Sequence, residues 1–144
     1  LDNIKNWNKL YGKNGFYQFQ CVFPVNKSKE ALKETLDLIN ASSVGSFLAV
    51  LKKFGHESSN ISFPMEGYTL ALDFPRSQKV DVLLNKLDKL VIKYSGRFYL
   101  TKDSRLSPSL FLSSDSRIEK FKRYRATNKL KNHFESYQSD RLNI

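Results

Sequence analysis

Between residues 80 and 94, apolar side chains recur at the spacing of one face of an α-helix. They are Val80, Leu83, Leu84, Leu87, Leu90, Val91 and Tyr94. A helix with such an apolar face is stable only when another layer of structure covers that face. Gly96 stands where a left-handed residue often ends a helix, so we expect this helix to end there. The rest of the chain must supply the covering layer.

Four segments have the composition of strands, and they predict that this layer is a β-sheet. The predicted strands are residues 16–23, 47–54, 68–74 and 97–100. A second helix is predicted over residues 28–39, with Ser28 as its N-cap. The order β-α-β-β-α-β is typical of ferredoxin-like folds. We therefore predict an α+β protein, with an antiparallel sheet, helices on one face and a helical C-terminal tail.

Alternation along the strands divides the sheet into two faces. One face, directed to the helices, is predicted to carry Phe19, Cys21, Phe23, Leu70, Leu72 and Phe74. The helix-free face is then left with Gln18, Gln20, Thr69, Ala71 and Asp73. Both sets of the second strand are largely apolar, so alternation does not orient that strand or its Lys52. The helix-free face is open to two interpretations, an ordinary hydrated surface or a binding surface.

Composition limits the classes of partner and compartment. The 144 residues fit one domain, and the net charge of +10 favours nucleic acid, acidic lipid or a phosphorylated ligand. A solvated surface, or one that meets an acidic part of a larger protein, explains the same charge. Cys21 is the only cysteine, which fits a reducing compartment such as the cytoplasm. No apolar run is long enough for a transmembrane helix, and the charge permits peripheral contact with a membrane.

The chain lacks a self-contained set of catalytic residues. His56 and His133 stand alone, so no metal site is expected. Cys21 lies in a strand and is better explained as a small core residue than as a nucleophile. No Gly-x-Ser-x-Gly elbow, phosphate loop or Gly-x-Gly-x-x-Gly fingerprint is present. If the chain serves an enzyme, it does so as a part of one.

From Thr101 onward the sequence becomes polar and basic. A dense polar turn over residues 102–105 is followed by Ser107-Pro108, which opens a short helix. A basic helix is predicted over residues 117–127. This segment has too little apolar surface for a core of its own. We expect it to pack against the sheet or against a neighbour outside the chain.

Several strings stand out in order along the chain. They are Tyr17-Gln18-Phe19, Leu51-Lys52-Lys53-Phe54-Gly55, Ser62-Phe63-Pro64, Gly67-Tyr68-Thr69-Leu70, Asp73-Phe74-Pro75, Gly96-Arg97-Phe98-Tyr99-Leu100-Thr101-Lys102-Asp103-Ser104-Arg105 and Ser139-Asp140-Arg141-Leu142. Together they resemble the FAD-linked oxidases of the vanillyl alcohol oxidase type. The nearest branch is the one that contains the decaprenylphosphoryl-ribose oxidases and the aldonolactone oxidases. The His-Trp-x-Lys signature of many aldonolactone oxidases is not seen.

The resemblance implies a division of the chain and a cofactor. Residues 1–14 would be a linker, residues 15–100 a substrate domain that covers the flavin ring, and residues 101–144 a tail against the FAD-binding domain. That N-terminal domain of the same protein would hold most of the FAD, so the isolated chain would neither bind FAD tightly nor turn over substrate. The implied substrate is a sugar-derived alcohol, which includes lipid-phosphate-linked sugars.

The resemblance also implies roles for individual residues. Lys102 would lie beside flavin and substrate, and Tyr99 would be the aromatic residue near it. Gln18, Lys52 and Phe54 would be substrate-pocket positions, and Ala71 stands where some members carry cysteine. Hydride transfer from an alcohol carbon leaves negative charge near the flavin N1–C2 edge, and Lys102 is the candidate that stabilises it.

Other interpretations stay open at this point. Lys102 could be a surface lysine of its turn. Lys52 could bind a hydroxyl or phosphate group of the substrate, or it could be an exposed strand lysine without a role in binding. A non-enzymatic, basic ferredoxin-like module that binds RNA is the second hypothesis, although the helix-free face lacks the aromatic residues on which bases stack. No positive signal supports a regulatory domain for a small ligand.

Overall fold

A computed structural model describes residues 5–6, 9, 11–57, 59, 61–130 and 133–144. Strands and helices follow one another in the predicted order. They are β1 (Phe16–Pro24), α1 (Ser28–Ala41), β2 (Leu48–Phe54), β3 (Gly67–Pro75), α2 (Gln78–Lys93) and β4 (Arg97–Phe98). After β4 come a 3-10 turn (Leu100–Lys102) and three helices, α3 (Pro108–Ser114), α4 (Arg117–Thr127) and α5 (Tyr137–Leu142).

The four strands form one antiparallel sheet in the order β2-β3-β1-β4. The two central strands are therefore β1 and β3, which are separated in sequence by α1 and β2. In their register, Gln18 lies opposite Asp73 and Gln20 lies opposite Ala71. The prediction of an α+β, ferredoxin-like fold is confirmed.

The core lies between the sheet and the two long helices. Every residue assigned to the helix side of β1 and β3 is buried there, together with the apolar face of α2. Burying one such leucine or phenylalanine side chain stabilises the fold by about 1.5–3 kcal/mol. The predicted faces of β1 and β3 are thus confirmed by the packing.

Two local predictions at helix ends are wrong. Ser28 is the first residue of α1 and does not cap it, because its hydroxyl donates to the carbonyl oxygens of Phe23 (3.0 Å) and Pro24 (2.8 Å). Ser95, with φ of 57°, takes the left-handed conformation expected of Gly96. Gly96 has no side chain for a different reason, since a Cβ there would lie 2.7 Å from the carbonyl oxygen of Val22.

The C-terminal segment packs against the sheet. Its buried residues Leu106, Phe111, Ile118 and Leu142 join the same core as β1 and α2. Ser107 caps α3 by accepting from the backbone N–H of Leu110, as its position before Pro108 predicted. The predicted strand over residues 97–100 ends at Phe98, where the 3-10 turn begins to redirect the chain. None of the helices in the described ranges combines the length and apolar character required to cross a membrane.

Candidate functional site

The face of the sheet opposite α1 and α2 carries two rows of polar and small side chains. The register places Lys52 beside Thr69, and it places Val50 beside Ala71. This settles the orientation of β2, which alternation had left open: Lys52 lies on the same face as Gln18 and Ala71. We call this surface the open face.

Hydrogen bonds between neighbouring strands fix the polar side chains of the open face. The amide of Gln18 donates to the carboxylate of Asp73 (3.1 Å), which also accepts from the hydroxyl of Tyr11 (3.1 Å). The amide of Gln20 donates to Thr69 (3.1 Å), whose hydroxyl donates to a backbone carbonyl oxygen of β1 (2.9 Å). Side chains held in this way can orient a ligand with little loss of conformational entropy.

A cavity of about 160 Å³ lies on the open face. It brings together four of the predicted site residues, Gln18, Lys52, Ala71 and Lys102. The other lining residues are Gln20, Leu48, Val50, Thr69 and Asp73. Pockets that enclose a small ligand usually measure roughly 300–1,000 Å³, so this cavity has the size of one wall of such a site.

Lys102 reaches the open face because the chain turns sharply after β4. The backbone N–H of Tyr99 donates to the carbonyl oxygen of Gln20 (3.0 Å), and that of Lys102 donates to the carbonyl oxygen of Tyr99 (3.0 Å). The 3-10 turn therefore begins beside the middle of β1. Lys102 is half-buried, and it meets Tyr99, Gln18 and Gln20 again in a small adjoining cleft.

Phe54 and Tyr99 lie beside this cavity and do not line it. Phe63, which was not predicted as a site residue, connects them. Its ring contacts Phe54 edge-on, with 5.9 Å between centroids, and stacks on Tyr99 at 4.6 Å. These three aromatic residues form a wall next to the cavity. The sequence signal for Phe63 was present in the string Ser62-Phe63-Pro64, but nothing in it indicated this contact.

Two arginines hold the loop that carries Phe63. Arg97 donates to the carbonyl oxygen of Pro64 (2.7 Å), and Arg117 donates to that of Ser62 (2.7 Å). Asp115 lies between them, 3.3 Å from Arg97 and 2.5 Å from Arg117. Burial would raise the pKa of Asp115, but hydrogen bonds from Arg117 and the charges of both arginines outweigh it, so the pKa is lowered. We call these three residues the arginine clasp.

The buried cysteine and the possible metal ligands give no second candidate site among the described residues. Cys21 is fully buried on the helix side, where burial raises the pKa of its thiol, and so does the charge of Asp88. A thiol of this kind is a poor nucleophile. Among the described residues, His, Cys, Asp and Glu form no group of three or more that could hold a metal ion. Six further residues of the open face were missed as site residues: Tyr11, Gln20, Leu48, Val50, Thr69 and Asp73. Alternation had already placed Gln20, Thr69 and Asp73 on this face.

Comparison with known proteins supplies the remaining observation. The chain is 36% identical over 126 residues to decaprenylphosphoryl-β-D-ribose oxidase of Mycolicibacterium smegmatis, which is 87% of this chain and 27% of that protein. It is 37% identical over 79 residues to an uncharacterised protein of the mprA 5′ region of Streptomyces coelicolor, which is 54% of this chain and 22% of that protein. The chain thus spans about a quarter of the length of these relatives, and no family model matches it. The predicted resemblance is confirmed over most of the chain.

Proposed function

Because this chain is related in sequence to decaprenylphosphoryl-β-D-ribose oxidase and its strings resemble the FAD-linked oxidases, we propose that it forms the substrate-side part of an FAD-dependent oxidoreductase. The proposed substrate is a sugar-derived alcohol. One observation carries the proposal: Gln18, Lys52 and Lys102 come from three separate strings of the family resemblance, Ala71 directly follows a fourth, and all four residues line one cavity. The register of the sheet brings Gln18, Lys52 and Ala71 to one face, and the turn after β4 adds Lys102 to them.

The residues of the open face fit a flavin held by another domain of the same protein. Two cationic side chains and two fixed amides converge on a shallow, concave surface, while the sequence has no glycine-rich loop for a pyrophosphate. Bound FAD would supply hydride acceptance. The chain itself provides the wall on which the alcohol lies, and its C-terminal segment would contact the FAD-binding domain.

Lys102 is proposed as the catalytic residue. Its ammonium group, at the edge of the cavity, stabilises negative charge that develops as the alcohol is oxidised. Tyr99 shares the adjoining cleft with Lys102, and this neighbourhood supports our proposal that its ring contacts cofactor and substrate. Since Lys102 is supplied by a turn fixed to β1, its charge is positioned before the substrate arrives.

The cavity is suited to a polyhydroxylated ligand. Gln18 and Gln20 present amides, and Lys52 presents an ammonium group from the edge strand, where it is exposed. The related protein carries in its name a ribose linked through phosphate to decaprenol. A lipid-phosphate sugar is therefore our proposed substrate class, with Lys52 binding a hydroxyl or phosphate oxygen. Phe54 and Phe63 provide apolar surface next to the cavity. A lipid-linked substrate would bring the protein into peripheral contact with a membrane.

The test uses the full-length protein that contains this chain. Substrate-dependent bleaching of flavin absorbance is measured anaerobically with a panel of sugar alcohols and lipid-phosphate sugars. We expect Lys102→Met to slow flavin reduction by about 100-fold or more, the usual effect of losing one charge-stabilising group. Lys53→Met is the matched control, because Lys53 points to the other side of β2. A protein without flavin, or a Lys102→Met variant that is reduced at the wild-type rate, would contradict the proposal.

The nucleic-acid hypothesis gains no support from the open face. Stacking of bases in ferredoxin-like RNA-binding domains needs aromatic residues in the middle of the central strands. The corresponding positions of β1 and β3 are Gln18, Gln20, Thr69 and Ala71. The charge of +10 is therefore better explained by contacts with an anionic substrate or with the rest of the protein.

A further inference from the structure

The turn that carries Lys102 is held from outside the sheet by α5, the last helix of the chain. The amide of Gln138 donates to the carbonyl oxygen of Leu100 (2.7 Å). The guanidinium of Arg141 donates to the carboxylate of Asp103 (2.7 Å) and to the carbonyl oxygen of Leu106 (2.5 Å). These contacts lie on both sides of Lys102 in the sequence, so α5 bridges the turn.

The helix that makes these contacts is itself firmly anchored. Leu142 is fully buried in the common core, and Ser139 is buried as well. Ser136 and Ser139 form a capping box, in which each side chain accepts from the backbone N–H of the other. A six-residue helix would be unstable alone, but these anchors give it a defined place. Gln138 and Arg141 therefore project from a rigid support.

Asp103, the neighbour of Lys102, is the centre of this network. Its Oδ1 accepts from the backbone N–H groups of Arg105 (3.1 Å) and Leu106 (3.0 Å), and its Oδ2 pairs with Arg141. The side chains of Arg141 and Asp103 are only 18% and 8% exposed, so water screens the pair weakly. Without Arg141, this largely buried carboxylate would be left without its guanidinium, on the residue that follows Lys102 in the sequence.

We propose that Arg141 and Gln138 are positioning residues for Lys102, a proposal that rests on the role of Lys102 given above. Gln138 fixes the carbonyl at the start of the turn, and Arg141 occupies the carboxylate that would otherwise attract the Lys102 ammonium. Arg141 thereby keeps that ammonium free to point into the cavity on the open face. The C-terminal helix thus has a function in the site although it contributes no residue to the cavity.

The experiment measures the two-electron reduction potential of the flavin in the full-length protein, which needs no substrate. A cation beside the flavin favours the reduced form, so its loss makes the potential more negative. We expect Lys102→Met to lower the potential, with about 30 mV for each tenfold loss in stabilisation of the reduced form. Arg141→Ala is expected to lower it in the same direction, and Gln138→Ala to a smaller extent.

Two further variants separate positioning from simple stability. Adding Asp103→Asn to Arg141→Ala removes the competing carboxylate, so the potential is expected to return toward the wild-type value although the melting temperature does not. If Arg141→Ala fails to fold, Arg141→Gln takes its place, because it removes the charge beside Asp103 but keeps a hydrogen-bond donor, and it is expected to lower the potential in the same direction. Arg123→Ala, on the exposed side of α4, is the matched control and is expected to have the wild-type potential.

The outcomes distinguish the two proposals. If Lys102→Met lowers the potential while Arg141→Ala and Gln138→Ala keep the wild-type value, the positioning role is wrong and the proposed function stands. The positioning role is also wrong if the double variant stays as low as Arg141→Ala. If Lys102→Met itself has no effect on the potential, the role of Lys102 fails, and the positioning role fails with it.

Discussion

At two glycines, the backbone of β1 lies too close to leave room for a side chain. A Cβ on Gly67 would lie 1.9 Å from the carbonyl oxygen of Phe23, and a Cβ on Gly96 would lie 2.7 Å from that of Val22. Both contacts are made to backbone atoms of β1, which cannot rotate away as a side chain can. Gly96 thus lets the chain that leaves α2 pass beside the central strand and form β4.

Gly96→Ala is expected to lower the free energy of unfolding by about 1–3 kcal/mol, the usual cost of forcing extra atoms into a packed region. Gly45→Ala is the control, because a Cβ there meets nothing within 4 Å and the backbone does not need a positive φ. That control is expected to be neutral or slightly stabilising. Urea unfolding curves of the two variants measure the difference, and coincident midpoints would show that the contact at Gly96 relaxes without cost.

The single cysteine allows a chemical test of the two faces. Cys21 is fully buried on the helix side, and burial raises the pKa of its thiol. The native protein is therefore expected to react with a thiol reagent only as fast as it unfolds. Ala71→Cys, on the open face, is expected to add one thiol that reacts at once. Rapid reaction of the unsubstituted chain would show that the assignment of Cys21 to the core is wrong.

At the scale of elements, the arginine clasp joins three separate parts of the fold through side-chain contacts. Arg97 comes from β4, Arg117 from the first turn of α4, and the carbonyl groups they bind belong to the loop before β3. Asp115 pairs with both arginines and offsets part of their positive charge. The clasp helps to hold Phe63 against Tyr99, because the two arginines bind the carbonyl groups of the residues on either side of Phe63.

Asp115→Asn is expected to cost about 1–3 kcal/mol of stability at pH 7, since two arginines lose their charged partner. The pKa of Asp115 is lowered in the folded protein, so its contribution is present above the unfolded pKa of about 3.9 and is lost as the pH falls through the folded pKa. The difference between variant and wild type should therefore shrink toward pH 3. Urea unfolding at several pH values measures it. Asp37→Asn, which breaks an exposed pair with Lys33, is the control and is expected to cost less than about 0.5 kcal/mol.

Side-chain alternation in the sequence correctly predicted which way a strand faces only where one face of that strand is fully buried. Alternation placed Gln18 and Ala71 correctly because β1 and β3 are central strands with one fully buried face. It failed for β2, an edge strand on which Leu48 and Leu51 are about half exposed on opposite sides, at 51% and 55%. Neither face of that strand is covered, so its composition carries little information on direction.

Contacts between segments that are distant in the sequence could not be predicted from local sequence patterns. Nothing near Ser28 shows that its hydroxyl donates to the end of β1, and nothing near Phe63 shows that two arginines hold its loop. The 3-10 turn at Lys102 likewise depends on Gln138 and a bond to β1. The family resemblance indicated Lys102, but only the fold shows which groups hold it.

At the scale of the whole molecule, the C-terminal segment and the sheet share one core. Phe111, Ile118 and Leu142 are buried with Phe19 of β1, so these three positions anchor the segment in the core beneath the sheet. It closes the β4 end of the sheet and supports the Lys102 turn from there. The assignment of its outer surface to a contact with an FAD-binding domain stays a prediction, and it belongs to the full-length protein.

The cavity exists only when β1, β2, β3 and the turn are assembled, so a test of its role must alter its shape and leave the fold intact. Ala71 lies on β3 between Gln20 and Val50, where a larger side chain would enter the cavity. In the full-length protein, Ala71→Leu is expected to weaken binding of the sugar-derived alcohol that reduces the flavin by at least about tenfold, which corresponds to about 1.4 kcal/mol. The dependence of flavin reduction on substrate concentration measures this change.

Ala49→Leu is the matched control for that experiment. Ala49 lies on the neighbouring strand, but it points to the other side of the sheet and is exposed. It is expected to leave both binding and the melting temperature near their wild-type values, since a surface substitution usually changes stability by less than about 0.5 kcal/mol. Equal effects of the two substitutions on binding would mean that the substrate does not occupy the cavity, and a loss of binding confined to Ala71→Leu would place it on the open face beside Lys102.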